Sequence, residues 1–126
     1  MTKQVIVMRK DLNMRKGKMI AQGGHAVVAN VLEFENKITK NLISPELRDT
    51  YLEWLSDSFK KITLSVTSEE ELISIYDKCL ELGFVVNLIE DSGLTEFHGV
   101  KTKTCLAIGP HKSKDIDVIT SNLKLL

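Results

Sequence analysis

Short runs of β-branched and other apolar residues alternate along this chain with longer segments of helical periodicity, which limits the folds it can adopt. Four segments are predicted as strands: 3–9, 61–67, 84–89 and 104–108. Four segments are predicted as helices: 18–34, 45–55, 69–82 and the segment after residue 113. The order β-α-α-β-α-β-β-α is typical of a three-layer α/β/α sandwich. Its four-stranded sheet should be mixed, because the loop joining the last two strands is too short for a helical crossover.

Serine residues mark three of the predicted helix starts. Ser44 precedes Pro45, and proline is favoured at the first helical position because the N–H that it lacks would be unpaired there. Ser68 and Glu71 have the spacing of a capping box, in which each side chain accepts the other residue's backbone N–H. Ser113 is predicted to cap the last helix.

The length and composition are those of one soluble domain. With 126 residues, 43% of them hydrophobic, the chain can bury a core without disulfides or metal, so residues 1–126 are predicted to form a single domain. Cys79 and Cys105 stand apart in apolar runs, which predicts reduced, buried thiols. The first residues contain an apolar run of only four, so neither a signal peptide nor a membrane span is expected there, and we expect a cytoplasmic protein.

Charge is unevenly distributed although the net charge is zero. Residues 1–25 hold six Lys/Arg against a single Asp, residues 33–96 hold six against fourteen Asp/Glu, and residues 97–126 hold five against two. A folded molecule in which the two basic ends meet would have one cationic face, and phosphate binding needs such a face more than a high overall pI. The alternative interpretation is an ordinary scatter of surface charge.

Two polar segments are candidates for chemistry. Lys18, Gln22 and His25 are spaced by four and three residues, so a single helix face would present an ammonium, an amide and an imidazole. Residues 90–102 form a polar loop directly after a buried strand, the position at which α/β sheets often carry their sites. The alternatives are a solvated helix face and a turn whose side chains bond only the backbone. A third segment, residues 107–110, predicts only that a strand ends in a Gly-Pro turn.

Taken together, three segments resemble the type II peptidyl-tRNA hydrolases in sequence, order and spacing. They read DLNMRKGKMIAQGGHA, SVTSEEEL and DSGLTEFHGVKTKTCLAIGP. The family shows DLxMxKGKxAAQxxHA, a strand running into SEEEL, and DAGRTQ followed by GTxTxLAIGP. The resemblance covers nearly the whole chain, and only residues 36–58 match loosely.

The resemblance implies an enzyme that hydrolyses the ester between a peptide and tRNA, acts without metal or other cofactor, and forms a homodimer. It implies the following catalytic residues: Lys18, Gln22, Asp91, Thr95 and Thr102. His25 matches a family histidine and is a further candidate. Four neighbouring basic residues are predicted to contact tRNA: Arg15, Lys16, Lys101 and Lys103.

Ester hydrolysis needs an activated water molecule and stabilisation of the developing oxyanion. We expect Asp91, helped by Thr95, to orient or deprotonate the water. Lys18 would neutralise the oxyanion or a nearby phosphate, and Gln22 would hold the carbonyl group. No residue is a candidate covalent nucleophile, because the cysteines lie in apolar runs and no GxSxG motif occurs.

Two departures from the family pattern bear on substrate binding. Leu94 stands where the family has arginine, and Glu96 where it has glutamine, which should weaken a phosphate contact. These departures leave open a non-catalytic module that binds tRNA or protein. A second alternative is an esterase for smaller acyl substrates. His98 and His111 are predicted to be surface residues.

Overall fold

The computed structural model describes residues 1–126, which form four helices and one sheet. The helices are α1 (Lys16–Thr39), α2 (Pro45–Ser56), α3 (Glu69–Glu81) and α4 (Ser113–Thr120). The strands are β1 (Thr2–Arg9), β2 (Lys61–Val66), β3 (Val86–Asp91), β4 (Thr102–Lys112) and β5 (Lys124–Leu125). The predicted order of eight elements is confirmed, with a fifth strand added at the end. None of the helices is long and apolar enough to cross a membrane.

The sheet has the strand order β3-β4-β1-β2-β5. Strands β1 and β2 are parallel, and the other neighbouring pairs are antiparallel, so the predicted mixed sheet is confirmed. The predicted number of four strands is wrong. Strand β5 has two residues, Lys124 and Leu125, which pair with β2, and a two-residue strand is too short to produce an alternation in the sequence.

Strand β4 runs beyond the Gly109-Pro110 turn at which it was predicted to end. It continues to Lys112, which pairs with Thr2 of β1. The register between β1 and β4 shifts at this point, since neither Gly109 nor Pro110 is aligned with a residue of β1. A proline, which cannot donate a ladder hydrogen bond, is tolerated at such an irregularity.

The predicted starts of α2 and α3 are confirmed. The Ser44 hydroxyl accepts the Leu47 backbone N–H at 3.2 Å, and the Ser68 hydroxyl accepts that of Glu71 at 3.1 Å. The returning half of the capping box differs from the prediction, because the Glu71 carboxylate accepts the hydroxyl and backbone N–H of Thr67 at 2.8 and 3.3 Å. Both helix starts are therefore stabilised by side chains, as their sequences predict.

Ser113 does not cap α4 as predicted. It is the first residue of that helix, after Lys112, and its buried hydroxyl has no hydrogen-bond partner. Its backbone N–H instead donates to the Met1 carbonyl at 2.9 Å. The extension of β4 to Lys112 causes this difference, because the residue before the helix is still part of a paired strand.

Alternate side chains of β1 enter different core clusters. Val5 and Val7 pack with residues of α3 and α4, whereas Ile6 and Met8 pack with Ala26 of α1. Phe34, Tyr51, Trp54 and Val85 form a third cluster under α2. The prediction of reduced, buried thiols is confirmed for Cys79 and Cys105.

His111 is buried and not a surface residue as predicted. Its Nε2 accepts the Val85 backbone N–H at 2.9 Å, and its ring lies 4.7 Å from the Phe84 ring and 6.2 Å from the Phe34 ring. Burial lowers the pKa of His111 to about 4, so the imidazole is neutral and can act as an acceptor. The polar pattern around it in the sequence, HKSKD, conceals this environment because β4 was predicted to end earlier.

Candidate active site

The first turns of α1 meet the loop that follows β3. Lys18 Nζ lies 2.8 Å from Asp91 Oδ1 and 2.8 Å from Thr95 Oγ1. The side chains of Lys18 and Asp91 are only 13% and 11% exposed, so the ion pair is largely shielded from water while staying at the surface. We call Lys18, Gln22, Asp91 and Thr95 the Lys18–Asp91 cluster. The two candidate polar segments, the helix face and the loop, thus meet in the structure.

Gln22 is the second residue of α1 in this cluster. Its Nε2 donates to Asp91 Oδ1 at 3.3 Å, and its Oε1 accepts the hydroxyl of Thr104 at 2.6 Å. Thr104 is fully buried in β4, and by occupying Oε1 it turns the amide N–H groups toward Asp91. Thr104 was not among the predicted site residues. In the sequence it is only the threonine that begins the apolar run TCLAI.

Asp91 is held at both carboxylate oxygens. Oδ1 accepts from Lys18 and Gln22, and Oδ2 accepts the backbone N–H of Gly93 at 2.9 Å. The hydrogen bond from Lys18, supported by those from Gly93 and Gln22, keeps the pKa of the Asp91 carboxyl below its ordinary value, although partial burial opposes this shift. Asp91 is therefore ionised at neutral pH.

Phe97 is a second residue that the sequence analysis missed. Its ring centroid lies 5.7 Å from Lys18 Nζ, and the ring also packs against the core cluster that contains Ile6 and Met8. An aromatic ring at this distance attracts an ammonium group and limits its access to water. Phe97 therefore connects the loop to the core beside the cluster.

The side chains of two predicted site residues form no hydrogen bond with the Lys18–Asp91 cluster. The Thr102 hydroxyl donates to the Val100 carbonyl at 2.9 Å, although its backbone is paired with that of Asp91. His25 is exposed on α1, and its side chain makes no hydrogen bond. Neither side chain belongs to the hydrogen-bonded network of the other four.

The predicted tRNA-binding residues flank this network. Arg15, Lys16 and Lys101 are exposed, and Lys103 lies 3.6 Å from the Glu90 carboxylate. A cleft of about 400 Å³ lies beside Thr95, and its walls are formed by Leu12, Asn13, Arg15, Thr95, Glu96 and Phe97.

The two residues that depart from the family pattern differ in their surroundings. Leu94 is 85% exposed and contributes nothing to the core. Glu96 Oε2 lies 3.4 Å from the Arg15 backbone nitrogen and accepts its N–H, so this carboxylate faces the start of α1. A negative charge at that end of a helix is stabilised by the helix dipole.

The geometry defines a class of protein. An ionised carboxylate can orient a water molecule, and an ammonium and an amide beside it can stabilise an oxyanion, which are the requirements of ester or amide hydrolysis. The thiols of Cys79 and Cys105 are buried, and burial raises the pKa of Cys105 to about 11, so neither is an activated nucleophile. The arrangement suits a hydrolase that activates water directly.

Comparison with known proteins places the chain within this class. The family model described as Peptidyl-tRNA hydrolase PTH2 matches residues 2–126. A peptidyl-tRNA hydrolase of Methanocaldococcus jannaschii is 44% identical over 98% of this chain and 99% of its own length. A protein of the same name from Nanoarchaeum equitans is 43% identical over 99% of this chain and 99% of its own length. One from Sulfurisphaera tokodaii is 41% identical over 99% of this chain and 98% of its own length. The chain belongs to the peptidyl-tRNA hydrolase family, so the family prediction is confirmed, and with it the prediction of a hydrolase.

Proposed function

We propose that this protein hydrolyses the ester between a peptide, or an N-blocked aminoacyl group, and tRNA through the Lys18–Asp91 cluster. Family membership supports the reaction. The observation that carries the assignment to residues is the joint contact of the Lys18 ammonium with Asp91 and Thr95, which lie 73 and 77 residues away in the chain. Thr102 belongs to the proposed set in an indirect role that is described below.

Asp91 orients the attacking water molecule. Its Oδ1 is occupied by two donors, whereas Oδ2 receives only the Gly93 N–H, so Oδ2 has capacity for a donor from water. Because its pKa lies below the ordinary value, Asp91 is a weak base. It therefore accepts the proton only as the new carbon–oxygen bond forms.

Lys18 and Gln22 stabilise the charge that develops on the carbonyl oxygen. Two of the three ammonium protons of Lys18 are directed at Asp91 and Thr95, which leaves one for the oxyanion. Gln22 similarly retains one amide proton. Water oxygen bonds to the carbonyl carbon, the carbon–oxygen bond to the ribose breaks, and the ribose oxygen leaves with a proton. The products are a peptide with a free carboxyl group and tRNA.

The basic residues around the cluster hold the tRNA backbone. Arg15 and Lys16 lie at the start of α1, and Lys101 and Lys103 lie next to Thr102, the first residue of β4, so phosphate groups can be bound from both segments. Replacing one of them should reduce the number of counterions released on tRNA binding by about one, as measured from the slope of log affinity against log salt concentration. His25, exposed on the same helix, would contact substrate and not the cluster.

The test is release of N-acetyl-aminoacyl groups from tRNA by the purified protein and by Asp91→Asn. We expect turnover by the wild-type protein and its loss in the variant, with affinity for deacylated tRNA retained. Asp77→Asn is the matched control, because Asp77 is exposed on α3 and its side chain has no partner. A wild-type protein that binds tRNA without hydrolysing the ester would contradict the proposal and favour a binding module.

A homodimer is the proposed assembly. Ile20, Val28 and Leu32 are exposed along α1, and Ile20 lines an apolar groove of about 330 Å³ together with Leu126. Exposed apolar side chains along one helix are typical of a surface that is covered by a second subunit. Sedimentation of the wild-type protein and of Ile20→Glu tests this assembly. We expect the mass of a dimer for the wild type and that of a monomer for the variant. A monomeric mass for the wild-type protein would contradict the proposal.

Residues 1–126 are proposed to form a single domain with three layers, and the support is the alternation of β1 side chains between α1 on one side and α3 and α4 on the other. A cytoplasmic location is proposed because translation supplies the substrate there.

A further inference from the structure

Thr102 lies at the base of the loop that carries Thr95. Its backbone is paired with that of Asp91, so these two residues close the loop 92–101. Its hydroxyl points back into the loop and donates to the Val100 carbonyl at 2.9 Å. Thr102 therefore restrains the loop without contacting any side chain of the Lys18–Asp91 cluster.

The Val100 carbonyl lies directly against Gly93. A Cβ at position 93 would be 2.3 Å from the Val100 oxygen, which is far closer than a carbon and an oxygen can approach. Gly93 also has a φ of +84°, a conformation that glycine adopts without strain. The Gly99 N–H donates to the Gly93 carbonyl at 2.8 Å, so the two sides of the loop are joined at this glycine.

Gly93 in turn holds Asp91. Its N–H donates to Oδ2 at 2.9 Å, and Oδ2 is the oxygen assigned above to the water molecule. The two donors to Oδ1 come from α1, so the Gly93 N–H is the only one of the three that depends on the conformation of the loop. A displacement of Gly93 would turn the carboxylate about its bond to Cβ.

We propose that Thr102 is a positioning residue, whose hydroxyl holds the Val100 carbonyl against Gly93 and thereby fixes Asp91 Oδ2 through the Gly93 N–H. This inference rests on the proposed function, because it assigns a task to Asp91 Oδ2. It explains how a threonine can affect the reaction although its side chain touches none of the reacting groups.

The test compares Thr102→Val, which removes the hydroxyl and keeps the shape, with Thr102→Ser, which keeps the hydroxyl. We expect the valine variant to lower kcat about fivefold, with KM and the affinity for deacylated tRNA unchanged, because a small misplacement of an orienting group slows the chemical step. The serine variant should recover most of the lost turnover. Thr102→Ala also lacks the hydroxyl and should behave like the valine variant.

Ser92→Ala is the matched control. Ser92 is exposed in the same loop, and its hydroxyl makes no hydrogen bond with the protein, so its removal should leave kcat unchanged. An independent readout that needs no substrate is the titration of the Asp91 carboxyl by NMR. Loss of the Gly93 N–H should raise the Asp91 pKa in Thr102→Val and not in Thr102→Ser.

Two results would overturn the inference. One is a valine variant with the kcat and the Asp91 pKa of the wild type. The other is a serine variant as slow as the valine variant, which would mean that the hydroxyl by itself does not position the loop. If the wild-type protein hydrolyses nothing while the Asp91 pKa still rises in the valine variant alone, the proposed function fails and the positioning by Thr102 stands.

Discussion

Helix α1 contributes to two polar clusters with different properties. The first is the Lys18–Asp91 cluster. The second, the Asn30 cluster, consists of Asn30, Asn87 and His111. Asn30 Nδ2 donates to the carbonyls of Ala107 and Gly109 at 2.9 and 2.8 Å, and its Oδ1 accepts from Asn87 at 2.7 Å.

The two clusters differ in charge, in burial and in the hydrogen-bonding capacity that they retain for a ligand. Asn30 is fully buried and His111 nearly so, both are neutral, and their polar atoms bond mainly to backbone groups of β4 and of the residue before β3. The Lys18–Asp91 cluster holds an ion pair at the surface and retains hydrogen-bonding capacity for a ligand. A neutral, buried cluster is suited to stabilising the fold, whereas a charged cluster with hydrogen-bonding capacity left for a ligand is suited to chemistry. Substitutions should therefore affect stability in one cluster and turnover in the other.

Asn30→Ala should have the largest effect. It removes three hydrogen bonds, those to the buried Ala107 and Gly109 carbonyls and the one from Asn87, and at about 1.3 kcal/mol each the free energy of unfolding should fall by about 4 kcal/mol. Urea denaturation measures this loss. Asn36→Ala, an exposed position on the same helix, is the control and should change stability by less than about 0.5 kcal/mol. If the free energy of unfolding fell equally in Asn30→Ala and Asn36→Ala, the Asn30 cluster would have no special part in stability, and the contrast with the Lys18–Asp91 cluster would be lost.

The second prediction concerns the pH dependence of stability. The pKa of His111 is about 4 in the folded protein and 6.5 ordinarily, so the unfolded chain binds its proton first as the pH falls. Its contribution, up to about 3 kcal/mol, is complete above pH 6.5 and is lost as the pH falls toward 4. In His111→Gln, the free energy of unfolding should depend much less on pH over this range. His98→Asn, which replaces a histidine at an exposed loop position, is the matched control.

Lys18→Ala tests the other cluster. Turnover should fall at least tenfold, or about 1.4 kcal/mol in the activation free energy, because the oxyanion loses its cationic partner. The fold should remain, since Asp91 keeps its donors from Gln22 and Gly93. Steady-state kinetics with circular dichroism measure both quantities, with the exposed Lys40→Ala as the control. Turnover close to that of the wild type would show that the charged cluster is not the site.

Gly24→Ala should have the smallest effect, and it should stabilise the protein where the other substitutions impair it. Gly24 is exposed on α1 between the two clusters, and a Cβ there would meet nothing within 4 Å. The gain in helix propensity should raise the free energy of unfolding by about 1 kcal/mol, with turnover unchanged. A destabilised variant would mean that a constraint on this stretch of α1 has been overlooked.

Local signals predicted most of the fold. Helix starts at Ser44 and Ser68 depend on bonds within four residues, and so the sequence was sufficient for them. The extension of β4 past Pro110 depends on a register shift against β1, a contact between distant segments that no local pattern encodes. His111 and Ser113 were misassigned for the same reason, because both follow from that extension.

The site was predicted through the family resemblance more than through spacing. Helical spacing placed Lys18 and Gln22 on one face, but only the resemblance connected that face to Asp91. Thr104 was missed because a threonine in a buried strand has no local sign of function. Its partner, Gln22, lies 82 residues away.

The distance along the chain between the two halves of the Lys18–Asp91 cluster has a consequence during synthesis. A nascent chain that has reached residue 90 carries Lys18 and Gln22 but none of their acceptors on the loop, and β4 has not yet been made to bind Gln22 through Thr104. The ribosome must therefore synthesise the chain as far as Thr104 before the cluster and its support can assemble. While it is being made, the enzyme is itself a peptide esterified to tRNA, and until β4 emerges the cluster that we propose to cleave such esters is incomplete.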